Sequence, residues 1–408
     1  MSAEQSKAPP GSGEFVARVA LMISLVALSI DAMLPALPAI GAELGVGHAN
    51  DVQLVISALF LGLAVAQMVY GPLSDSFGRK PAIYAGFAIF IAGCLLSILA
   101  RGLEVMLLGR FLQGIGAAGP RIVTMALVRD QYAGRAMARV MSLAMAVFIM
   151  VPVLAPGIGQ AIMLVAHWRA IFVMLLAVAL IALTWFALRQ PETLPPARRT
   201  PFSLRGVAAG VRETCSHRAA FGYTMMAGLI FGSFVGYLIS APQIFLEQYH
   251  TGGRFALYFG LLAACIGAAM LLNSRLVMVW GMRLLCRIAL IAACGVSLLF
   301  FGWAWALAGH PPLWALMIYL GVAFFCNGIL FGNFNAMALE PLGHIAGVAS
   351  AVVGSLTTFL SLALGTLIGR SFDGTVLPLV GGFAGLGIAA LGAMWWAEAP
   401  TREATRSG

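Results

Sequence analysis

The feature that most restricts this chain is a repetition of length rather than of sequence. Apolar runs lie near 16–37, 52–72, 82–101, 104–127, 136–162 and 168–188. After an interruption they resume near 219–241, 254–274, 284–307, 312–338, 347–370 and 376–397. Each approaches the roughly 20 residues that an α-helix needs to cross a bilayer core. Only helices and closed barrels can span lipid with their backbone groups satisfied, and runs this long and this evenly apolar suit helices. The expected fold class is an all-α membrane protein with twelve transmembrane helices. Of the 408 residues, 61% are hydrophobic and 10% charged, against roughly 25% charged in an ordinary soluble domain. A soluble chain of this size could not hide so much apolar surface. The 47 glycines fit too, because small residues let membrane helices approach closely.

The interruption from Arg189 to Arg218 is the longest polar stretch and holds Pro191, Pro195, Pro196 and Pro201. It reads as a domain boundary. The expected organisation is an N-terminal tail (1–15), a six-helix bundle (16–188), a linker (189–218), a second six-helix bundle (219–397) and a C-terminal tail (398–408). The first apolar run is too long for a signal-peptide core and reads as a retained spanning helix. An even helix count puts both termini on one side, and Lys and Arg should concentrate on the cytoplasmic one. With both termini inside, eighteen of the 24 Lys and Arg residues fall in the tails and even-numbered loops. Four (Arg101, Arg169, Arg254, Arg370) fall outside, and Arg110 and Arg121 lie within a run. That asymmetry predicts cytoplasmic termini. It also disposes of a nucleic-acid reading of the +9 net charge, since the arginines sit in short gaps between apolar runs. The six cysteines, Cys94, Cys215, Cys265, Cys286, Cys294 and Cys326, show no CxxC spacing and read as small buried hydrophobes.

Gly71-Pro72-Leu73-Ser74-Asp75-Ser76-Phe77-Gly78-Arg79-Lys80-Pro81 is expected to form the loop between helices 2 and 3. Glycines at both ends permit a tight turn. Asp75 can cap a helix terminus, and Arg79 can pair with Asp130 at the inner end of helix 4. Inside the bilayer, ionisable groups are costly and each is a functional hypothesis. Three stand out: Asp31 on helix 1, and Arg110 and Arg121 on helix 4. The two arginines are eleven residues apart, about 20° around an α-helix and roughly 16 Å along it. Helix 4 thus carries a cationic stripe with Gly114 and Ala117 between, facing a water-filled cavity or another helix. Asp31 sits at about the depth of Arg110. A carboxylate that moves between an apolar pocket and an arginine could load and release a proton; a static ion pair is the simpler alternative. The second half offers no comparable mid-membrane acid.

These strings carry a resemblance. The loop matches the major facilitator signature G-x-L-S/A-D-x-x-G-R-R/K, and the two six-helix halves joined by a long cytoplasmic loop resemble that fold, in which the halves rock around a central site. The resemblance implies that Gly71, Asp75, Gly78, Arg79 and Asp130 gate the conformational switch. Arg110-Phe111-Leu112-Gln113-Gly114-Ile115-Gly116 matches R-x-x-Q-G-x-G, in which the arginine of proton-coupled antiporters is implicated in proton transfer; Asp31 and Arg110 become the expected coupling pair. Pro152-Val153-Leu154-Ala155-Pro156-Gly157-Ile158-Gly159 on helix 5 partly matches the antiporter signature, which favours an exporter. The chain most resembles the bicyclomycin-resistance (Bcr/CflA) branch of the drug:proton antiporters. That likeness rests on Ser29 to Pro38, Val128-Arg129-Asp130, Trp168-Arg169, and Glu192-Thr193-Leu194-Pro195-Pro196 with Arg198-Arg199. Arg121 departs from what an exporter of cationic drugs would welcome.

A substrate cavity is expected at the midplane between the halves, with Gln113, Arg121, Tyr237, Asn327 and Asn335 as candidate lining. Two arginines against one acid make neutral or anionic substrates easier to accommodate than dications. The expected function is proton-coupled efflux of small hydrophobic or amphiphilic drug-like compounds. The alternative is a proton-coupled transporter dedicated to one metabolite. The partners are substrate, protons and the lipid bilayer of a bacterial inner membrane, and a monomer is expected. No cofactor beyond the proton gradient is needed: no G-x-x-x-x-G-K-S/T phosphate loop occurs, the six histidines are scattered, and no catalytic cluster suggests an enzyme.

Overall fold

The computed structural model describes residues 12–201 and 203–399. Most of the two expected tails, with Lys7, Arg402 and Arg406, therefore lies outside the described residues. Those residues are helical and contain no strand. Twelve long helices follow one another: α1 (Ser12–Asp31), α2 (Leu54–Phe77), α3 (Arg79–Leu99), α4 (Leu103–Gln131), α5 (Gly134–Val165), α6 (Arg169–Arg189), α7 (Arg218–Pro242), α8 (Phe255–Trp280), α9 (Met282–Ala306), α10 (Leu313–Leu339), α11 (Ala346–Arg370) and α12 (Leu377–Glu398). Among the described residues, eleven helical stretches are long and apolar enough to cross a membrane. The longest, Leu313–Arg370, contains both α10 and α11, which meet at a non-helical Leu342.

Three local features depart from the sequence expectation. The first span is broken: α1 stops at Asp31, and short helices Leu34–Ala36 and Leu37–Glu43 continue it. Pro35 has no N–H to return to the carbonyl of residue 31, and Pro38 none for residue 34, so the α-helical ladder fails there. The expected loop over 71–81 shrinks to one residue. Helix α2 runs through Phe77, Gly78 makes the turn at φ 107°, and α3 begins at Arg79. A side chain at that φ would be strained, so glycine is required. The linker contains a 13-residue helix, Leu204–Ser216, capped by the Ser203 hydroxyl, which accepts from the Gly206 N–H at 3.1 Å. Its inward stripe is Val207, Gly210, Val211 and Thr214, the spacing of one helical face. Gly210 sits so close to Val348 of α11 that a Cβ would lie 2.3 Å from a Val348 methyl.

Helices α1–α6 pack on one another, most intimately α4 against α3 and α2, and α7–α12 do likewise around α7. Glycines set the closest approaches. A Cβ on Gly62 would lie 2.1 Å from the Phe111 carbonyl oxygen, and one on Gly114 would lie 2.0 Å from that of Leu59. In lipid this backbone-to-backbone packing supplies what hydrophobic burial supplies in water. Two seams join the first six helices to the last six, α2 against α11 and α5 against α8.

Hydrogen bonds across the seams are unevenly placed. One end of the molecule carries Asn50 and Arg370, the other Gly78 and the linker. At the Asn50 end, Asn50 donates to the carbonyls of Arg370 and Phe372 at 2.9 and 3.0 Å. Arg370 pairs with Asp51 at 3.0 Å, Gln243 donates to Asn50 at 2.8 Å, and Gln53 donates to Gln243. Farther along, Ser57 meets Thr366 at 2.9 Å, Ser355 donates to the Ala64 carbonyl at 2.7 Å, and Gln67 donates to Thr358 at 3.1 Å. Among the described residues no hydrogen bond joins the two sets of helices beyond Gln67 on α2. The molecule is clasped at the Asn50 end and unclasped at the Gly78 end.

Candidate functional site

At the Gly78 end, the buried Arg79 guanidinium donates to Asp130 at 2.9 Å and to the Ser74 hydroxyl at 2.8 Å, and pairs with Asp75. The structure thus brings the expected Arg79, Asp75 and Asp130 together. Asp75 does not cap α3. That task falls to Glu192 of the linker, whose carboxylate accepts the N–H groups of Arg79 and Lys80, both at 3.0 Å, and of Thr193 and Leu194, both at 2.9 Å. It thereby satisfies the free N–H groups and positive dipole of the α3 N-terminus. Burial raises the Glu192 pKa, but the four N–H bonds outweigh it and the net shift is downward. The linker is fastened at two further points: Thr193 donates to Asp130 at 2.9 Å, and the Thr200 N–H donates to the Asp75 carbonyl at 3.1 Å. Sequence reasoning missed the capping role of Glu192. The available signal was the one acid in a Pro-flanked, arginine-rich segment, Arg189 to Arg199. Gly71 lies farther up α2, where its carbonyl accepts from Ser74 at 2.9 Å.

Asp31, 5% exposed, sits at the break after α1. Among the described residues it has no ion-pair partner within 4 Å. Arg110 is not its partner. Fully buried, Arg110 donates to the Ser29 carbonyl at 2.8 Å, to the Val55 carbonyl at 3.3 Å and to the side chain of Gln113, and it stacks on Phe172. It ties α4 to α1 and α2 through neutral acceptors, the one on α1 lying two residues before Asp31. Gln113 is fully buried between α3 and α4, where it also donates to Cys94 at 3.3 Å, so it orients Arg110 and lines no cavity.

From the second half, Tyr237 of α7 comes within electrostatic reach of Asp31. Its ring is held by Phe324 at 4.7 Å and Phe259 at 5.6 Å. Its buried hydroxyl has no hydrogen-bond partner among the described residues. The Asn327 amide nitrogen on α10 is likewise buried and unpaired, whereas Asn335 donates to the Phe331 carbonyl at 2.8 Å. Arg121 is half-buried.

The helix α5 signature lies on the seam with α8, where a Cβ on Gly260 would approach the Val153 carbonyl at 2.9 Å. Pro152 and Pro156 are inside the helix. The two glycines differ: nothing lies within 4 Å of a Cβ on Gly157, whereas one on Gly159 would meet the Ala32 carbonyl oxygen at 1.9 Å. Helix α5 therefore touches the first span immediately after Asp31. Toward the Asn50 end, a cleft of about 370 Å³ runs between the two halves, with Gln53, Gln243 and Glu247 among its walls.

With this geometry in hand, the comparisons agree on one family. A family model described as Major Facilitator Superfamily matches residues 19–366. Among curated proteins, the chain is similar to a bicyclomycin resistance protein homolog of Haemophilus influenzae, at 29% identity covering 90% of this chain and 91% of that one. It is similar to the uncharacterized MFS-type transporter YdgK of Bacillus subtilis, at 29% identity covering 86% and 87%. It is also similar to the multidrug resistance protein MdtL of Salmonella heidelberg, at 30% identity covering 82% of each. Among solved structures, the E. coli xylose transporter XylE, in a partially occluded inward-open conformation, superposes with a TM-score of 0.70 at 13% identity, covering 96% of this chain and 98% of that one. The human organic anion transporter MFSD10 gives 0.66 at 17%, covering 96% and 100%. At such identities these two likenesses speak for the fold alone.

Proposed function

Because the chain belongs to the Major Facilitator Superfamily and is thus a multi-pass membrane transporter rather than an enzyme, we propose that it exports small drug-like or amphiphilic compounds in exchange for protons. In this reading α1–α6 and α7–α12 are two bodies that rock about a central site, with both termini and the Gly78 end in the cytoplasm of a bacterial cell and the Asn50 end outside. The protein works as a monomer in the inner membrane and needs no cofactor beyond the proton gradient. The names of its relatives, a bicyclomycin resistance homolog and a multidrug resistance protein, support efflux of drug-like molecules.

The observation that carries the proton-coupling part is Asp31: a carboxylate buried at a break in the first span, without a counter-ion among the described residues. An unpaired carboxylate in an apolar pocket favours its neutral form. In the proposed cycle, the arrangement clasped at the Asn50 end is the one in which Asp31 carries a proton. Exchange requires that it take this proton from outside, when rocking parts the Asn50 clasp, and give it up toward the Gly78 side as substrate loads there. Arg110 fixes the α1 backbone beside it, and Gly159 lets α5 bear directly on the carbonyl after it. Movement of α5 against α8 is therefore transmitted to the carboxylate. At the opposite end, the Arg79–Asp75–Asp130 cluster with Glu192 is the part that must rearrange when that end closes.

Drug susceptibility of an efflux-deficient bacterial host tests this, with wild type, Asp31→Asn and Arg110→Ala compared at matched membrane expression. Resistance to bicyclomycin- or chloramphenicol-like compounds that disappears in both variants is the expected result. Resistance that survives Asp31→Asn moves the proton site elsewhere. Resistance to no compound shifts the assignment to a dedicated metabolite transporter.

A further inference from the structure

Helix α4 carries a second buried-face arginine that the coupling scheme does not use. Arg110 has three acceptors; Arg121, about 20° from it around the helix and roughly 16 Å farther along, has none among the described residues, and no acid acts on it. The way α2 crosses α4 explains why it is uncovered. Near Arg110, α2 lies on the Phe111–Gly114–Ile115 side of α4: Gly62 faces the Phe111 carbonyl and the Ile115 N–H, and Gly114 faces Leu59. Two turns on, α2 has swung round to Gly119, which packs on the Tyr70 ring, while Pro120 packs against Gly86 of α3. The face left open by that crossing carries Arg121, with Ile122 and Met125 beside it, all half-buried. It lies between the Asn50 clasp and the Gly78 end, about 20° around α4 from Arg110, whose guanidinium reaches α1, and so away from the side packed on α3. An arginine at this depth without a partner carries a desolvation cost that nothing in the chain offsets.

The opposite half has a matching vacancy of acceptors. Asn327 on α10 is 7% exposed, and its buried amide nitrogen donates to nothing among the described residues. Arg121 lies about 27 Å along α4 from its start and Asn327 about 21 Å along α10 from its start. Both helices start at the Asn50 end, so the two unsatisfied donors stand at similar depths, one in each half. Donors without acceptors, one of them charged, call for a ligand that brings acceptors and negative charge. Arginine's planar fork suits a carboxylate, sulfonate or phosphonate.

We infer that Arg121 is the anchor of an organic-anion subsite in the transport path, and that amphiphilic monoanions are among the cargo of this exporter, beside the neutral compounds of the efflux reading. The inference rests on the efflux reading for its direction but not for its site. Export of an anion also runs with an inside-negative membrane potential, where export of a cation runs against it.

The test uses purified full-length protein in detergent and a matched pair of probes, an aryl-alkyl carboxylic acid and its primary amide. Binding is read by intrinsic tryptophan fluorescence, and transport separately in proteoliposomes. Wild type should bind the acid at least tenfold more tightly than the amide. Arg121→Gln should lower that preference by roughly tenfold, the scale of a lost charge-assisted hydrogen bond, and Arg121→Lys should keep part of it. A wild-type protein that binds both probes alike, or an Arg121→Gln variant that keeps the full preference, overturns the inference. Should Arg121→Gln fail to fold, the wild-type ratio and Arg121→Lys still decide. Acid-selective binding without any proton-driven transport leaves the subsite standing and overturns the efflux reading instead.

Discussion

Arg110 and Glu192 hold opposite charges, yet both work mainly through uncharged backbone groups. Arg110 fixes the Ser29 and Val55 carbonyls, so it shapes the pocket of Asp31 without neutralising it. Glu192 gathers four N–H groups and presses the linker onto the Gly78 turn, where a Cβ on Gly78 would lie 2.8 Å from its carboxylate. The lowered pKa of Glu192 gives its contribution a pH signature. A carboxyl whose folded pKa lies below its unfolded value of roughly 4.3 contributes fully above that unfolded value. The contribution fades as pH falls through the lower folded one. Glu192→Gln places an amide N–H₂ against N–H donors. It should therefore cost about 1–2 kcal/mol at pH 7, allowing for partial exposure. The gap in melting temperature between wild type and variant should stay constant from pH 7 to 5 and narrow below about pH 4. A gap that instead widens on acidification would mean that Glu192 is not held as the anion.

At the scale of the helix, the α5 signature separates into a hinge-like part and a contact. Alanine at Gly157 meets open space, and replacing a helix-interior glycine with alanine favours the helix by up to about 1 kcal/mol. Alanine at Gly159 must push α5 away from the Ala32 carbonyl, which belongs to backbone and cannot turn aside. Gly159→Ala should lower the melting temperature and cut proton-driven transport at least tenfold, whereas Gly157→Ala should leave the melting temperature level or raise it. Equal effects at the two positions would remove α5 from the coupling path. The sequence could not distinguish these glycines, because the difference lies in what another helix brings to each. The same limit governs other misses. The spans were legible because a bilayer sets their length, and the Arg79–Asp130 pairing because few acids lie near helix ends. The break after Asp31 was written in Pro35 and Pro38 but hidden by uniform hydrophobicity. The linker helix was hidden by its polarity, with only Val207, Gly210, Val211 and Thr214 marking its packed face. Nor did spacing show that Gln113 points at Arg110 and away from the cavity, since one helix face can serve α1, α2 and α3 at different heights.

For the whole molecule, the position of the last cross-seam hydrogen bond is a statement about conformation. Pairing runs from Asn50 to Gln67 on α2 and stops about 15 Å short of its end at Phe77. With the Gly78 end unclasped, the proposed cycle loads substrate from that side, the cytoplasmic one in the proposed orientation. Turnover must then break bonds such as Ser57–Thr366, whose hydroxyl oxygens are 2.9 Å apart. Each net hydrogen bond contributes about 1 kcal/mol, so a clasp of this kind can hold the end closed and, in the proposed cycle, still yield to a shift in the protonation of Asp31. Paired Ser57→Cys and Thr366→Cys substitutions, made in a background without the six native cysteines, place two thiols across the clasp. Oxidation should join them in the ligand-free protein, seen as a mobility shift on gels, and should stop transport; reduction should restore it. If the thiols join only after substrate or a proton gradient is added, the resting molecule is open at the Asn50 end instead, and the loading order proposed here reverses.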